Sequence, residues 1–171
     1  LMKSVLGMDA PAMHKVFRRW NEGPMNSYLL EITAAVLSKT DPETGQPLVD
    51  VILDTAGQKG TGKWTSQNAL DLGVAIPTIN AALEGRILSA IREERLQAAK
   101  VLRGPEERFE GDRAVFLEAI HDALRLSIVT CYAQGFALMR EASKEYQYKL
   151  DFEEIARIWR GGCIIRAALL E

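Results

Sequence analysis

The sequence predicts an all-α fold, a multi-helix domain arranged around one long central buried helix. Three observations lead there. Apolar residues recur over almost the whole chain at the spacing of an amphipathic helix. The stretch 112–148 has no proline and one glycine, Gly135, so it reads as a single helix of roughly 35 residues, about 50 Å long. Its middle, Ala123 to Met139, is apolar on nearly every face, as in a helix surrounded by others.

The elements follow in order. Leu1 to Leu6 reads as the last turns of a helix capped by Gly7. Asp9-Ala10-Pro11 places an N-cap before a proline in the first turn and opens a helix through about Trp20, closed by Asn21-Glu22-Gly23. Pro24 to Ser27 opens the next, with Tyr28, Leu29, Ile32, Val36 and Leu37 on its broad apolar face. Residues 41–47 are dense in turn formers. Val49 to Asp54 is too short for its apolar run to separate a strand from a helical turn. Thr65 to Leu72 reads as a helix ended by Gly73. Another starts at Ile76-Pro77, with Thr78 as N-cap, and runs to about Leu102, where Arg103-Gly104-Pro105 stops it. After the long helix, Asp151-Phe152-Glu153-Glu154 has the form of a capping box for a last helix, interrupted by Gly161-Gly162 in a tight crossing or a break. The end, Ile164 to Glu171, continues an apolar helical pattern. Both ends read as cut, so the expectation is one all-helical domain, residues 1–171, excised from a longer protein.

Composition narrows the function classes. The chain has 171 residues, 47% hydrophobic and 26% charged, enough for one core or for two sub-bundles. A net charge of −2 gives no global reason to expect nucleic acid. No apolar run approaches the ~20 residues of a membrane span. Cys131 and Cys163 lie far apart in apolar contexts and read as buried free thiols in a reducing compartment, with no basic or histidine partner to activate them. His14 and His121 have no second histidine at helical spacing, so no metal is expected.

One segment points to chemistry. Gly57-Gln58-Lys59-Gly60-Thr61-Gly62-Lys63-Trp64 packs three glycines and two lysines into eight residues. Glycines let a backbone approach a ligand closely, and lysines supply point charges for a phosphate or carboxylate. Gly57-x-x-x-x-Gly62-Lys63 nearly matches a P-loop, but Trp64 stands where Ser or Thr must hold magnesium. A P-loop also needs a preceding strand in a parallel sheet, for which Val49 to Leu53 is the one candidate. Arg86, in Glu84-Gly85-Arg86, is the second site of interest. The helix-weakening glycine before it leaves room for a ligand or for a close neighbouring helix; the plainer alternative is a solvated charge beside Arg92, Glu93, Glu94 and Arg95.

Three segments together resemble one family: Ile52-Leu53-Asp54-Thr55-Ala56-Gly57-Gln58-Lys59-Gly60-Thr61-Gly62-Lys63-Trp64-Thr65, then Tyr132-Ala133-Gln134-Gly135-Phe136, then Ile158-Trp159-Arg160-Gly161-Gly162-Cys163-Ile164-Ile165-Arg166. In order and spacing they are similar to the decarboxylating 6-phosphogluconate dehydrogenases, over essentially the whole chain. The resemblance implies the central part of that family's large helical domain, which follows an NADP-binding Rossmann domain and takes part in a cytoplasmic homodimer. It implies Lys59 and Arg86 as ligands of the substrate phosphate. The family's general-base lysine and general-acid glutamate would lie before residue 1, and a substrate-contacting arginine and histidine after residue 171. The chain alone is then expected to hold 6-phosphogluconate's phosphate and pack subunits, with no catalytic residue and no NADP site of its own; no Gly-x-Gly-x-x-Gly fingerprint occurs in it. Ala75 stands where the family commonly has proline, and Glu84-Gly85 replaces a larger pair before Arg86. Two other classes remain as alternatives: a nucleotide-binding protein built on the near P-loop, and a helical interaction module with no part in catalysis.

Overall fold

The computed structural model describes residues 1–57, 59–104 and 109–171, and among these eight α-helices and one 3₁₀ turn. They are α1 (Ala10–Asn21), α2 (Tyr28–Leu37), α3 (Leu48–Val51), α4 (Thr61–Asp71), α5 (Pro77–Ala90), α6 (Arg92–Val101), α7 (Arg113–Glu145) and α8 (Phe152–Trp159), with the 3₁₀ turn at Ala168–Leu170. The all-α expectation holds: among the described residues, only two isolated β-bridges occur, Ser27 with Ala167 and Thr40 with Pro47. No helix of the described residues is long and apolar enough to cross a membrane.

Local chemistry sets the starts of α1, α2 and α8. Asp9 accepts the Ala12 N–H at 2.8 Å, Ser27 the Leu30 N–H at 3.3 Å, and Asp151 the Glu154 N–H at 3.0 Å, each relieving a helix start of one unpaired donor. Such a cap contributes about 1 kcal/mol. At Asp151 the reciprocal half of the capping box is missing, because Glu154 turns to Arg157 instead. Asp41 accepts from both the backbone and the hydroxyl of Thr44, which closes the turn-rich loop and holds the Asp41 carboxyl below the usual range.

The chain divides into two compact units. One comprises Leu1–Ile52, Arg108–Arg125 and Asp151–Glu171; the other, Leu53–Glu107 and Leu126–Leu150. In the first, α1 packs on α2 and buries Val16, Trp20, Leu30, Ala34 and Leu37. Trp20 meets Phe17 and His121 edge-on, at ring separations of 5.3 and 5.2 Å. His14 Nδ1 donates to the Ala34 carbonyl at 2.7 Å. Neither histidine is a bare surface group. In the second unit, Ile76 and Ala69 are the buried apolar residues among those described.

Four expectations need correction. α7 has the expected length, but no residue of it is fully buried, and Leu126 and Val129 remain 67% and 39% exposed. An all-round apolar helix wants neighbours on every side, and the elements of this chain cover only part of it. In α2 the buried face is Leu30, Ala34 and Leu37, while Leu29 and Val36 face outward; a nearly all-apolar helix gives periodicity nothing to choose with. The helix expected from Pro77 to Leu102 breaks at Ile91 (φ −87°, ψ 51°) into α5 and α6. Pro105 and the three residues after it lie outside the described residues. Of the two alternatives at Gly161-Gly162, the structure has the break: α8 ends just before the pair, Gly162 is left-handed at φ +68°, and a Cβ on either glycine would meet nothing within 4 Å. Beyond it, Ile164 to Glu171 is turn and irregular chain closing in the 3₁₀ turn at Ala168–Leu170, not a continued α-helix. Arg166 lies over the Tyr28 ring at 3.7 Å, and its carbonyl accepts the Tyr28 N–H.

Both cysteines are free and half-buried. Burial pushes the Cys131 thiol up, away from the thiolate form that nucleophilic chemistry needs.

Candidate anion-binding site

The glycine-lysine loop belongs to the second unit, between residues of irregular backbone at 53–57 and helix α4. The ambiguous run before it resolves as the single helical turn α3, followed by chain with no ladder partner. Among the described residues, the P-loop reading therefore lacks its strand. Helix α4 starts at Thr61, four residues earlier than expected, because Gly60 at φ +108° turns the chain in a conformation an L-residue rarely adopts. A Cβ at Gly60 would also stand 3.3 Å from the Trp64 ring, which lies over this backbone and is 60% exposed.

Helix α5 runs back along α4. A Cβ on Gly62 would fall 2.8 Å from Leu83 Cδ1, so the missing side chain is what admits the close approach of the two helices. One turn further along α4, the Ser66 hydroxyl donates to the Asn80 amide oxygen at 2.8 Å. The N-terminus of α5 is held from α7: the Gln134 amide oxygen accepts the Thr78 and Ile79 N–H groups at 3.1 and 3.2 Å, and its amide nitrogen donates to the Thr78 hydroxyl. Thr78 is thus inside the helix, and the cap comes from Gln134. This gives the middle motif, Tyr132 to Phe136, a physical role that its sequence did not reveal.

This register brings Arg86 to the loop. Its Nε donates to the Gly57 carbonyl at 2.7 Å, two residues before Lys59. Arg86 and Lys59 are both exposed, and the former's terminal guanidinium nitrogens have no partner among the described residues. Among the described residues a Cβ on Gly85 would meet nothing within 4 Å, so no described helix packs against it. The arrangement leaves a planar donor fork and a lysine at the mouth of a glycine loop, which suits an oxyanion with several acceptor oxygens. Lys63 sits in the first turn of α4 and is exposed.

Arg92 and Arg95 are not the solvated charges that sequence suggested. Both converge on Asp54: Arg92 Nε donates to one carboxylate oxygen at 2.8 Å, and both terminal nitrogens of Arg95 donate to the other at 3.1 Å. The hydrogen bonds from Arg92 and then Arg95 hold the Asp54 carboxyl below its ordinary value of 3.8. A depressed folded-state pKa contributes stability above the unfolded value and loses it as pH falls through the folded value. A carboxyl-carbon NMR titration is therefore expected to place the Asp54 midpoint below 3.8 and to return it towards 3.8 when Arg92 and Arg95 are both changed to Gln. On α7, Glu118, His121 and Asp122 lie within 4.8 Å of one another, an exposed carboxylate pair about the imidazole that by itself assigns no metal.

Comparison with known proteins identifies the family. The family description 6-phosphogluconate dehydrogenase, C-terminal domain, matches residues 1–171. The NADP(+)-dependent, decarboxylating 6-phosphogluconate dehydrogenase of Bacillus subtilis is 54% identical over 172 residues, covering 100% of this chain and 37% of the relative. A decarboxylating 6-phosphogluconate dehydrogenase of Schizosaccharomyces pombe is 49% identical over 171 residues, covering 100% and 35%. The solved Plasmodium falciparum 6-phosphogluconate dehydrogenase, described in apo form and in complexes with cofactor NADP+ and substrate 6-phosphogluconate, superimposes with a TM-score of 0.88. It shares 45% sequence identity, over 99% of this chain and 37% of that one. The chain spans 37% of the length of the first of these relatives. With the helical fold, the glycine-lysine loop and the match over its whole length in agreement, the chain belongs to the 6-phosphogluconate dehydrogenase C-terminal domain family.

Proposed function

We propose that this chain is the substrate-holding and subunit-packing part of an NADP-dependent oxidative decarboxylase that converts 6-phosphogluconate to ribulose 5-phosphate and CO2. In this reading residues 1–171 form one domain of a longer cytoplasmic enzyme of the pentose phosphate pathway, working as a homodimer. Lys59 and Arg86 bind the substrate phosphate. The observation that carries the reading is the Arg86–Gly57 hydrogen bond, which ties the arginine to the lysine's loop by Nε and leaves the terminal nitrogens for an anion. The relatives' names supply the substrate class and the reaction.

The role of these residues is to bind and orient. A phosphate fixed at one end of a sugar acid sets where its hydroxyl and carboxylate carbons fall, and such positioning lowers the barrier to any step performed there. NADP, held by the rest of the whole enzyme, would supply the hydride acceptor for the substrate's alcohol. No residue of this chain is assigned to it, since the sequence has no dinucleotide fingerprint. A sugar acid oxidised at C3 would be a β-keto acid, which is prone to lose CO2, so what this chain would add is the fixed position of the phosphate end. Apolar side chains left exposed on α5, α6 and α7, Leu88, Val101 and Leu126 among them, support subunit packing.

In the full-length enzyme, Lys59→Ala is expected to raise the KM for 6-phosphogluconate about 10-fold, the worth of one charge-assisted hydrogen bond. The KM for NADP stays the same. Steady-state kinetics with each substrate varied in turn tests this, and an unchanged KM for 6-phosphogluconate refutes the phosphate role.

A further inference from the structure

A loop with glycines at 57, 60 and 62 has little conformational preference of its own, so a lysine carried on it is held in place only if other groups fix the backbone. The described residues show what fixes it. Asp54 receives Arg92 on one carboxylate oxygen and Arg95 on the other. Arg95 Nη2 also donates to the Asp54 carbonyl at 2.8 Å and to the Ser89 carbonyl at 3.2 Å, near the break between α5 and α6. The Ser89 hydroxyl accepts the Ala56 N–H at 3.1 Å and donates to the Arg86 carbonyl at 2.7 Å. Residues 56 and 57 are thus tied to α5, the helix that presents Arg86, and residue 54 to α6, whose Arg95 in turn holds the Ser89 carbonyl of α5. Ser89 joins the loop to the turn on which Arg86 sits.

Asp54 is 60% exposed at its side chain, and exposed ion pairs add little to global stability. Their effect here is geometric. They also commit two of the nearby guanidinium groups to a carboxylate. We propose that Asp54 and Ser89 are positioning residues for phosphate recognition, fixing the backbone before Lys59 so that the lysine and Arg86 meet the same anion. This rests on the reading of Lys59 and Arg86 as phosphate ligands.

The charge of Asp54 gives the test a sign. Asp54→Asn removes a negative charge beside an anion site and frees Arg92 and Arg95. If the site worked by local field alone, phosphate would bind more tightly; if Asp54 positions the loop, it binds more weakly. In the full-length enzyme carrying this domain, D54N and S89A are each expected to raise the KM for 6-phosphogluconate about 10-fold, in line with the cost of misplacing a binding group. The Ki of inorganic phosphate as a competitive inhibitor should rise by the same factor, with kcat and the KM for NADP unchanged. S89T, which keeps the hydroxyl, should restore both constants. Combined with K59A, D54N should add little, because there is no longer a lysine to position. A Ki for phosphate that falls or stays constant in D54N overturns the proposal; if D54N proves unstable, a constant Ki in S89A does so. If K59A itself leaves the phosphate Ki unchanged, the ligand reading fails instead. A rise in K59A without one in D54N and S89A sinks the positioning role alone.

Discussion

Arg86→Ala is expected to raise the KM for 6-phosphogluconate about 100-fold in the full-length enzyme, more than any other single change in the loop. The reason is that Arg86 has two attachments. Its Nε holds the Gly57 carbonyl, and its free terminal nitrogens form the fork proposed for the phosphate. Removing the side chain loses the ligand and also releases the backbone that leads to Lys59. Arg86→Lys separates the two: one ammonium can meet the phosphate or the carbonyl, but it has no second arm at fixed geometry. It should fall between wild type and Arg86→Ala. Steady-state kinetics, with the KM for NADP as the control, measures the effect. Equal KM values in Arg86→Lys and wild type would remove the forked geometry from the argument.

The largest loss of stability is expected at Trp20→Ala. The indole is 6% exposed and touches Phe17 from its own helix and His121 from α7. Deleting it opens a cavity that neighbouring rings cannot close, which costs about 3–5 kcal/mol. Against a total stability of about 5–15 kcal/mol for a domain, that is a large share. Urea denaturation followed by circular dichroism gives the difference, and Trp20→Phe should recover more than half of it. A loss below about 1 kcal/mol would mean that the site collapses freely and that the two edge-on ring contacts carry little.

How much of this was legible in the sequence depended on how far apart the interacting residues lie. The caps at Asp9, Ser27 and Asp151 act on N–H groups three residues on, so a local pattern predicts them. The break at Ile91 does not announce itself in 77–102, because Arg92 and Arg95 are drawn to Asp54, 38 residues before the first of them. Likewise Gln134 caps α5 from 56 residues away, and no local rule connects an amide in the middle of one helix to the start of another. The length of α7 was readable from the missing breakers. Its burial was not, since periodicity records what a helix can accept and says nothing of what packs on it. The anion loop stood out by composition. The choice of Lys59 and Arg86 came from resemblance, and the geometry added the link between Arg86 and Gly57 that explains why these two side chains would act together.

Trp64 gives the loop a built-in optical handle. The chain has three tryptophans; Trp20 is buried, Trp159 is half-buried, and Trp64 is 60% exposed with its ring over Gly60. The red edge of the emission spectrum therefore belongs mainly to an indole resting on the same backbone that carries Lys59. A residue that disqualifies the segment from holding magnesium makes its conformation observable without a label.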